Sequence, residues 1–296
     1  VAERTREFFL TLCAALGACA IAQFLLQLIM PPQLLFPIEN FAPKEFVVQL
    51  FNQQAPLAYG ATLYRSNGVF MIEPSMLSQL LAVALLIELS SRTDVRRSAL
   101  YCLGIVFTYS GTGLAILAVC LPVFIITSRQ WKILVGIAAS LVVLALLREP
   151  LHLDILLSRS TELSATGSSG FARFVGGFWL FDQFLLDDVG RAFLGFGAGA
   201  FTDYVPLARL PASEMPLFKM IFEFGAFGAI IYFAFLCYCV FSTDAPLPVR
   251  LALFMSLMVN GLSNPFAHGL AFGLLVWTTP WRGRVKPARV ASEAAR

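Results

Sequence analysis

Charge is scarce in this sequence: 13% of residues are Asp, Glu, Lys or Arg, against 58% hydrophobic. A soluble chain carries about 25% charged residues, so there is too little charge here to coat a water-facing surface. No basic run interleaved with aromatics occurs, and the formal net charge is only +3. That combination excludes a nucleic-acid partner. Cysteines are few, and Cys13, Cys19, Cys102, Cys120, Cys237 and Cys239 all fall in apolar segments without zinc or redox spacing. They imply neither a disulfide framework nor a metal finger, and the pair at 237 and 239 reads as small apolar packing. The two histidines, His152 and His268, have no partner at metal-ligand spacing, and neither a Gly-x-Ser-x-Gly elbow nor a His-Glu-x-x-His motif is present.

What is there is a series of long apolar blocks, the signature of bilayer-spanning helices. Residues 8–30 form the clearest one, about 23 residues without a charge. The length of that block, with no small-residue cleavage site after it, argues against a signal peptide. Further spans are expected at 69–89, 133–147 and 218–241, with a final pair at 249–262 and 266–281 turning at Ser263, Asn264 and Pro265. The stretch 98–126 is basic at both ends, with Arg92, Arg96 and Arg97 before it and Arg129 and Lys132 after it. The positive-inside rule wants both ends cytoplasmic, which one straight span cannot satisfy. Two short helices meeting at Tyr109, Ser110, Gly111, Thr112 and Gly113 can, because glycines and hydroxyls permit a turn inside a protein-lined cavity. The expected fold is therefore all-α: a polytopic bundle of about eight membrane segments, two of them a broken hairpin.

In this arrangement residues 1–281 form a single transmembrane domain, with long loops at about 31–68 and 148–217 on the face opposite the cytoplasm. A short amphipathic piece at 46–51 lies at the interface, and the basic tail 282–296 is cytoplasmic and disordered. Both termini of the chain are expected in the cytoplasm. The first residue is Val, and further spans are expected to precede it.

The loop 148–217 holds most of the candidate chemistry. Arg148, Arg159, Arg173 and Arg191 lie in it, and a guanidinium fork can grip phosphate bidentately. The alternative role for each is ordinary loop charge contacting lipid headgroups. Around Phe178, Trp179, Phe181 and Leu185 the apolar spacing suits a helix lying along the membrane interface or roofing a cavity. Gly195, Gly197 and Gly199 mimic a nucleotide cradle, but that motif needs a preceding strand, so a tight turn is the better reading. Asp187 and Asp188 read as a solvated helix end before a cation site. Glu214 precedes the 218–241 span, and Glu223 lies inside it, four residues after Lys219. A carboxylate within a span is by default a functional candidate.

Five stretches of residues together are similar to the O-antigen polymerase and O-antigen ligase superfamily of bacterial inner-membrane glycan enzymes. The first runs through Arg65, Gly68, Glu73, Pro74 and Ser75, and the second is Tyr109 to Leu114. The third joins Arg159 and Glu162 to Ser169 and Arg173, the fourth is 194–201, and the fifth is Leu217 to Gly225. The likeness spans roughly residues 60 to 280. It implies a metal-independent glycosyltransferase without a cofactor. Its substrate would be an undecaprenyl-diphosphate-linked oligosaccharide, polymerised onto another lipid-linked repeat unit at the periplasmic face. Membrane lipids would surround it, with a chain-length regulator and a flippase as candidate partners. Ligases of this superfamily carry a His-Asn pair about nine residues before the Glu; here Glu214 and Met215 stand there, which favours a polymerase over a ligase acting on lipid A core. A lipid-linked glycan transporter is the rival from another class, but it calls for charge spread through the spans and for repeat symmetry. On this likeness Arg173 and Arg159 would bind the diphosphate, Arg65 and Arg191 would assist, and Glu214 would be the base. Glu223, Ser110 and Glu73 would support them.

Overall fold

The computed structural model describes residues 2–259, apart from 44, 46, 48–53, 59–60, 92–93, 147, 150–153 and 158–163. Among them every regular element is helical, and a lone antiparallel bridge joins Pro56 to Tyr64. In chain order the helices are α1 (Ala2–Leu26), α2 (Pro32–Leu35), α3 (Pro37–Phe41), α4 (Pro74–Ser91), α5 (Val95–Thr108), α6 (Gly111–Ser128) and α7 (Lys132–Leu146). A run of short helices follows: α8 (Asp154–Leu157), α9 (Ser169–Phe174), α10 (Gly176–Leu180), a π-helical turn (Phe181–Leu185), α11 (Val189–Leu194) and α12 (Ala200–Tyr204). The long α13 (Pro216–Phe241) and α14 (Leu247–Val259) close the described chain.

Four stretches, Glu3–Leu26, Pro74–Ser91, Gly111–Ser128 and Pro216–Phe241, are long and apolar enough to cross a membrane. They are the property of a membrane protein. Helices α5, α7 and α14 are shorter, and the expected segment 266–281, with its turn at 263–265 and the tail, lies outside the described residues. Most of the 46–51 piece lies outside them too.

Helix α4 is the central post. Fifteen of its residues, from Pro74 to Leu89, are buried, and α1, α5, α6 and α14 pack around it. Small residues let neighbours come close, as packing without a water-driven hydrophobic force requires. Gly17 of α1 faces Gly104 of α5. At Gly113 of α6 an added Cβ would run into the side chain and carbonyl of Ser78 on α4. Away from the post, α13 turns Phe227, Ile230, Ile231, Phe235 and Tyr238 outward.

The sequence-based spans shift in three places. The second span starts at Pro74, not near residue 69, because Gly68 and Val69 take positive φ (66° and 70°) and Pro74 then pre-sets the first helical turn. The hairpin at 109–113 exists as two helices, but α6 has 18 residues, so only α5 is short. The break itself is tight: Tyr109 adopts the left-handed conformation as the C-cap of α5, and the next residue, Ser110, already caps α6 by accepting from the Thr112 amide. The third change is a kink in α13 at Gly225 (φ 64°, ψ −172°), where helical geometry is lost inside what reads as one continuous span.

The close α4–α6 contact yields a prediction. Gly113→Ala should destabilise the protein by roughly 1–3 kcal/mol through overpacking. Gly136→Ala in α7, where a new Cβ meets no atom within 4 Å, should be neutral or stabilising. Thermal unfolding in detergent distinguishes the two, and equal midpoints would contradict the packing described.

Candidate functional site: a cavity at the start of α4 and α6

The loop that leads into α4 is held by side chains of α1. Gln23 and Gln27 sit four residues apart on that helix and are buried (2% and 8% exposed). Gln23 Nε2 donates to the Asn67 side chain (2.9 Å) and to the Leu35 carbonyl (2.8 Å), while its Oε1 accepts from the Asn67 and Gly68 amides (both 3.0 Å). Gln27 does the same for Tyr64, donating to its carbonyl (3.1 Å) and accepting from its amide (2.7 Å). Asn67 in turn donates to the Met71 carbonyl (2.8 Å) and accepts from the Val69 amide (3.1 Å). The Ser66 amide donates to Phe107 at the end of α5 (3.1 Å). Backbone groups of an irregular segment thus find fixed partners, as burial demands.

This clamp presents Arg65 and Glu73 to a cavity of about 300 Å³. Its walls are the loop and the start of α4 (Ala55, Arg65, Glu73, Pro74, Ser75), the start of α6 (Ser110, Gly111, Thr112, Ala115) and α9 (Ser169, Gly170, Arg173, Phe174). Helix α9 is capped by Ser168, whose Oγ accepts from the Phe171 amide at 3.0 Å, and the Ser213 amide donates to the Ala172 carbonyl at 2.9 Å. Arg173 is thereby aimed at the loop, and its Nη2 meets Glu73 Oε2 at 3.4 Å. The second Glu73 contact comes from Ser75 Oγ, at 2.8 Å. Two guanidinium groups, hydroxyls and the positive end of the 18-residue α6 therefore share one space. Such a set can hold an anion.

Of the expected site residues, the structure brings Arg65, Glu73, Ser110 and Arg173 together in this cavity. Arg159 lies outside the described residues. Arg191, Glu214 and Glu223 do not line it. Arg191 pairs with Asp188 (3.4 Å) and covers the Phe196 ring (4.6 Å). Asp188 is the N-cap of α11, accepting from the Gly190 and Arg191 amides, so the acidic pair is a helix start. Glu214 accepts from Lys219 (2.9 Å) and Thr202 (3.1 Å). Glu223, 4% exposed, accepts from the Phe201 amide (3.3 Å) and lies 3.8 Å from Lys219. Among the described residues no group of three or more His, Cys, Asp and Glu is arranged to hold a metal ion.

The glycine run has a different task. Because α13 breaks at Gly225, the carbonyls of Phe222 and Glu223 need new donors. The amides of Phe196 (3.0 Å) and Gly197 (2.8 Å) supply them. A side chain at Gly195 would strike the Glu223 backbone, and one at Gly225 would strike Phe193 and Leu194. Two backbones lie against each other there, and aromatic rings (Phe201, Tyr204, Phe218, Phe222) pack about the joint. Sequence reasoning missed this joint, and it missed Gln23 and Gln27, although two glutamines at i and i+4 in an apolar span are a legible sign of a buried polar contact.

No family model matches the chain, and no curated protein or solved structure matches it either. The site is therefore read from its own chemistry.

Gln23→Leu removes three hydrogen bonds to the loop and one to Leu35 of α2, and leaves the Asn67 and Gly68 amides and the Leu35 carbonyl without that partner, at about 1–3 kcal/mol for each orphaned group. Trypsin should then cut after Arg65 many times faster than in the wild type, with cleavage followed by intact mass. An unchanged cleavage rate would mean that the clamp does not hold the loop.

Proposed function

We propose that this chain is a membrane glycosyltransferase of bacterial polysaccharide assembly. It acts as a polymerase that moves a glycan from undecaprenyl diphosphate onto a second lipid-linked repeat unit at the periplasmic face of the inner membrane. The observation that carries the proposal is the meeting of Arg65 and Arg173 with the start of α6 in one cavity. A departing lipid diphosphate accumulates negative charge as its bond to the sugar breaks, and preorganised cationic donors aimed at that charge are the largest lever an enzyme has on such a reaction. Arg173 and Arg65 hold the diphosphate, and Ser110 contacts its oxygens at the positive end of α6. Arg191 and Glu214 stand apart from this cavity and enter the proposal as parts of the neighbouring joint on α13. The same cavity would suit a ligase; the residues at 214 and 215 favour the polymerase.

Purified protein supplied with lipid-linked repeat units should yield a ladder of polymer. Arg173→Ala should abolish the ladder, a loss of at least about 10²-fold in rate, with the protein level unchanged. Full-length polymer from that variant would overturn the assignment. Transfer to lipid A core would select the ligase, and movement across a vesicle membrane without chain growth would select transport.

A further inference from the structure

The transfer also needs a group to take the acceptor's proton, and the cavity holds a carboxylate for it. Among the described residues that line the cavity, Glu73 is the only acid. Its Oε2 is occupied, accepting from Ser75 Oγ at 2.8 Å and facing Arg173 Nη2 at 3.4 Å. No hydrogen bond from the described residues engages Oε1. Glu73 is also well placed rather than loose: the amides of Met76 and Leu77 donate to its carbonyl, so its backbone is part of the first turn of α4. The other two candidates are spoken for, Glu214 by Lys219 and Thr202 and Glu223 by the Phe201 amide.

We infer that Glu73 is the general base of the transfer and that Arg173 keeps it idle until the donor diphosphate binds. The inference rests on the polymerase reading for its chemical half. At 3.4 Å the Glu73–Arg173 contact is longer than the 2.7–2.9 Å of a tight charge-assisted bond, so a diphosphate with more charge and more acceptor oxygens can displace it. Without the donor, the guanidinium rests against Glu73 Oε2 beside the Ser75 hydroxyl and holds that oxygen away from the acceptor. With the donor, Arg173 turns to the diphosphate. Glu73 Oε2 then loses its guanidinium neighbour and is open to a hydrogen bond from the acceptor hydroxyl. The acceptor hydroxyl oxygen attacks the anomeric carbon, the bond from that carbon to the phosphate oxygen breaks, and the electron pair leaves with the lipid diphosphate. The hydroxyl proton passes to Glu73 and then to water. The arrangement couples the placement of the base to donor occupancy.

Two measurements on the purified full chain test this. Calorimetric titration with inorganic pyrophosphate should show Glu73→Gln binding several-fold more tightly than wild type, because the competing carboxylate is gone, while Arg173→Ala binds weakly. Polymer formation by Glu73→Gln should fall by about 10²–10⁴-fold, with the acid limb of its pH–rate profile lost; Glu73→Asp should recover part of the rate. A merely structural Glu73 would instead weaken pyrophosphate binding on substitution and leave the shape of the pH profile intact, overturning the inference. Wild-type polymerisation retained by Glu73→Gln would overturn the base role and leave the polymerase reading standing. If wild-type protein forms no polymer, the polymerase reading and the base role fall together, and the pyrophosphate comparison still decides whether Glu73 holds Arg173 against an anion.

Discussion

Away from water, a helix cannot be interrupted unless every backbone group it abandons finds another partner. The main features of this molecule follow from how that demand is met at two breaks. Between α5 and α6, Tyr109 turns left-handed and donates its amide to Val106, while Ser110 accepts from Thr112 and Ser78 accepts from Gly113. At Gly225, the orphaned carbonyls of α13 are met by amides of the glycine run. The first break leaves the positive end of a long helix facing a cavity. The second locks the segment 195–201 onto α13. Neither is a flexible point, since each is fixed by bonds from a different part of the chain.

The cavity is built by the same rule applied to a loop. Its floor is the start of α4 and α6, brought into contact by Ser78 and Gly113. One wall is irregular backbone, which lies against an apolar bundle only because Gln23 and Gln27 supply the donors and acceptors that water would otherwise give. The other wall is α9, tied to the 213 segment through Ala172. Arg65, Glu73 and Arg173 therefore come from three stretches far apart in sequence, and each is aimed by an anchor that carries no charge. Charges placed this way are preorganised, which is what makes them useful for stabilising a developing anion.

Much of this was legible beforehand. The break at 109–113 showed itself because small hydroxyl and glycine residues interrupt an apolar stretch, and because both flanks are basic. Arg173 could be nominated as a loop arginine, and Arg65, Glu73 and Ser110 through the family resemblance. Their division from Arg191, Glu214 and Glu223 could not. That depends on which carboxylate finds Lys219 and which finds Arg173, and on a kink at Gly225 that apolar periodicity hides. The start of the second span was misplaced for a similar reason: hydropathy runs smoothly through Val69 to Ile72, while the positive φ at Gly68 and Val69 delays the helix to Pro74.

By itself, then, the amino-acid sequence determined that the chain is helical and apolar, with helices able to cross a membrane, because burying backbone polar groups in apolar surroundings leaves few other choices. It also located the break at 109–113, though not the kink at Gly225, and put forward side chains with suitable chemistry. Only the tertiary structure decided that two arginines, one glutamate and a helix start face a common space, while an equally promising glutamate does not. The reason is physical: hydropathy and capping act over a few neighbouring residues, whereas the partner of a buried charge is set by packing between segments that the chain itself keeps apart.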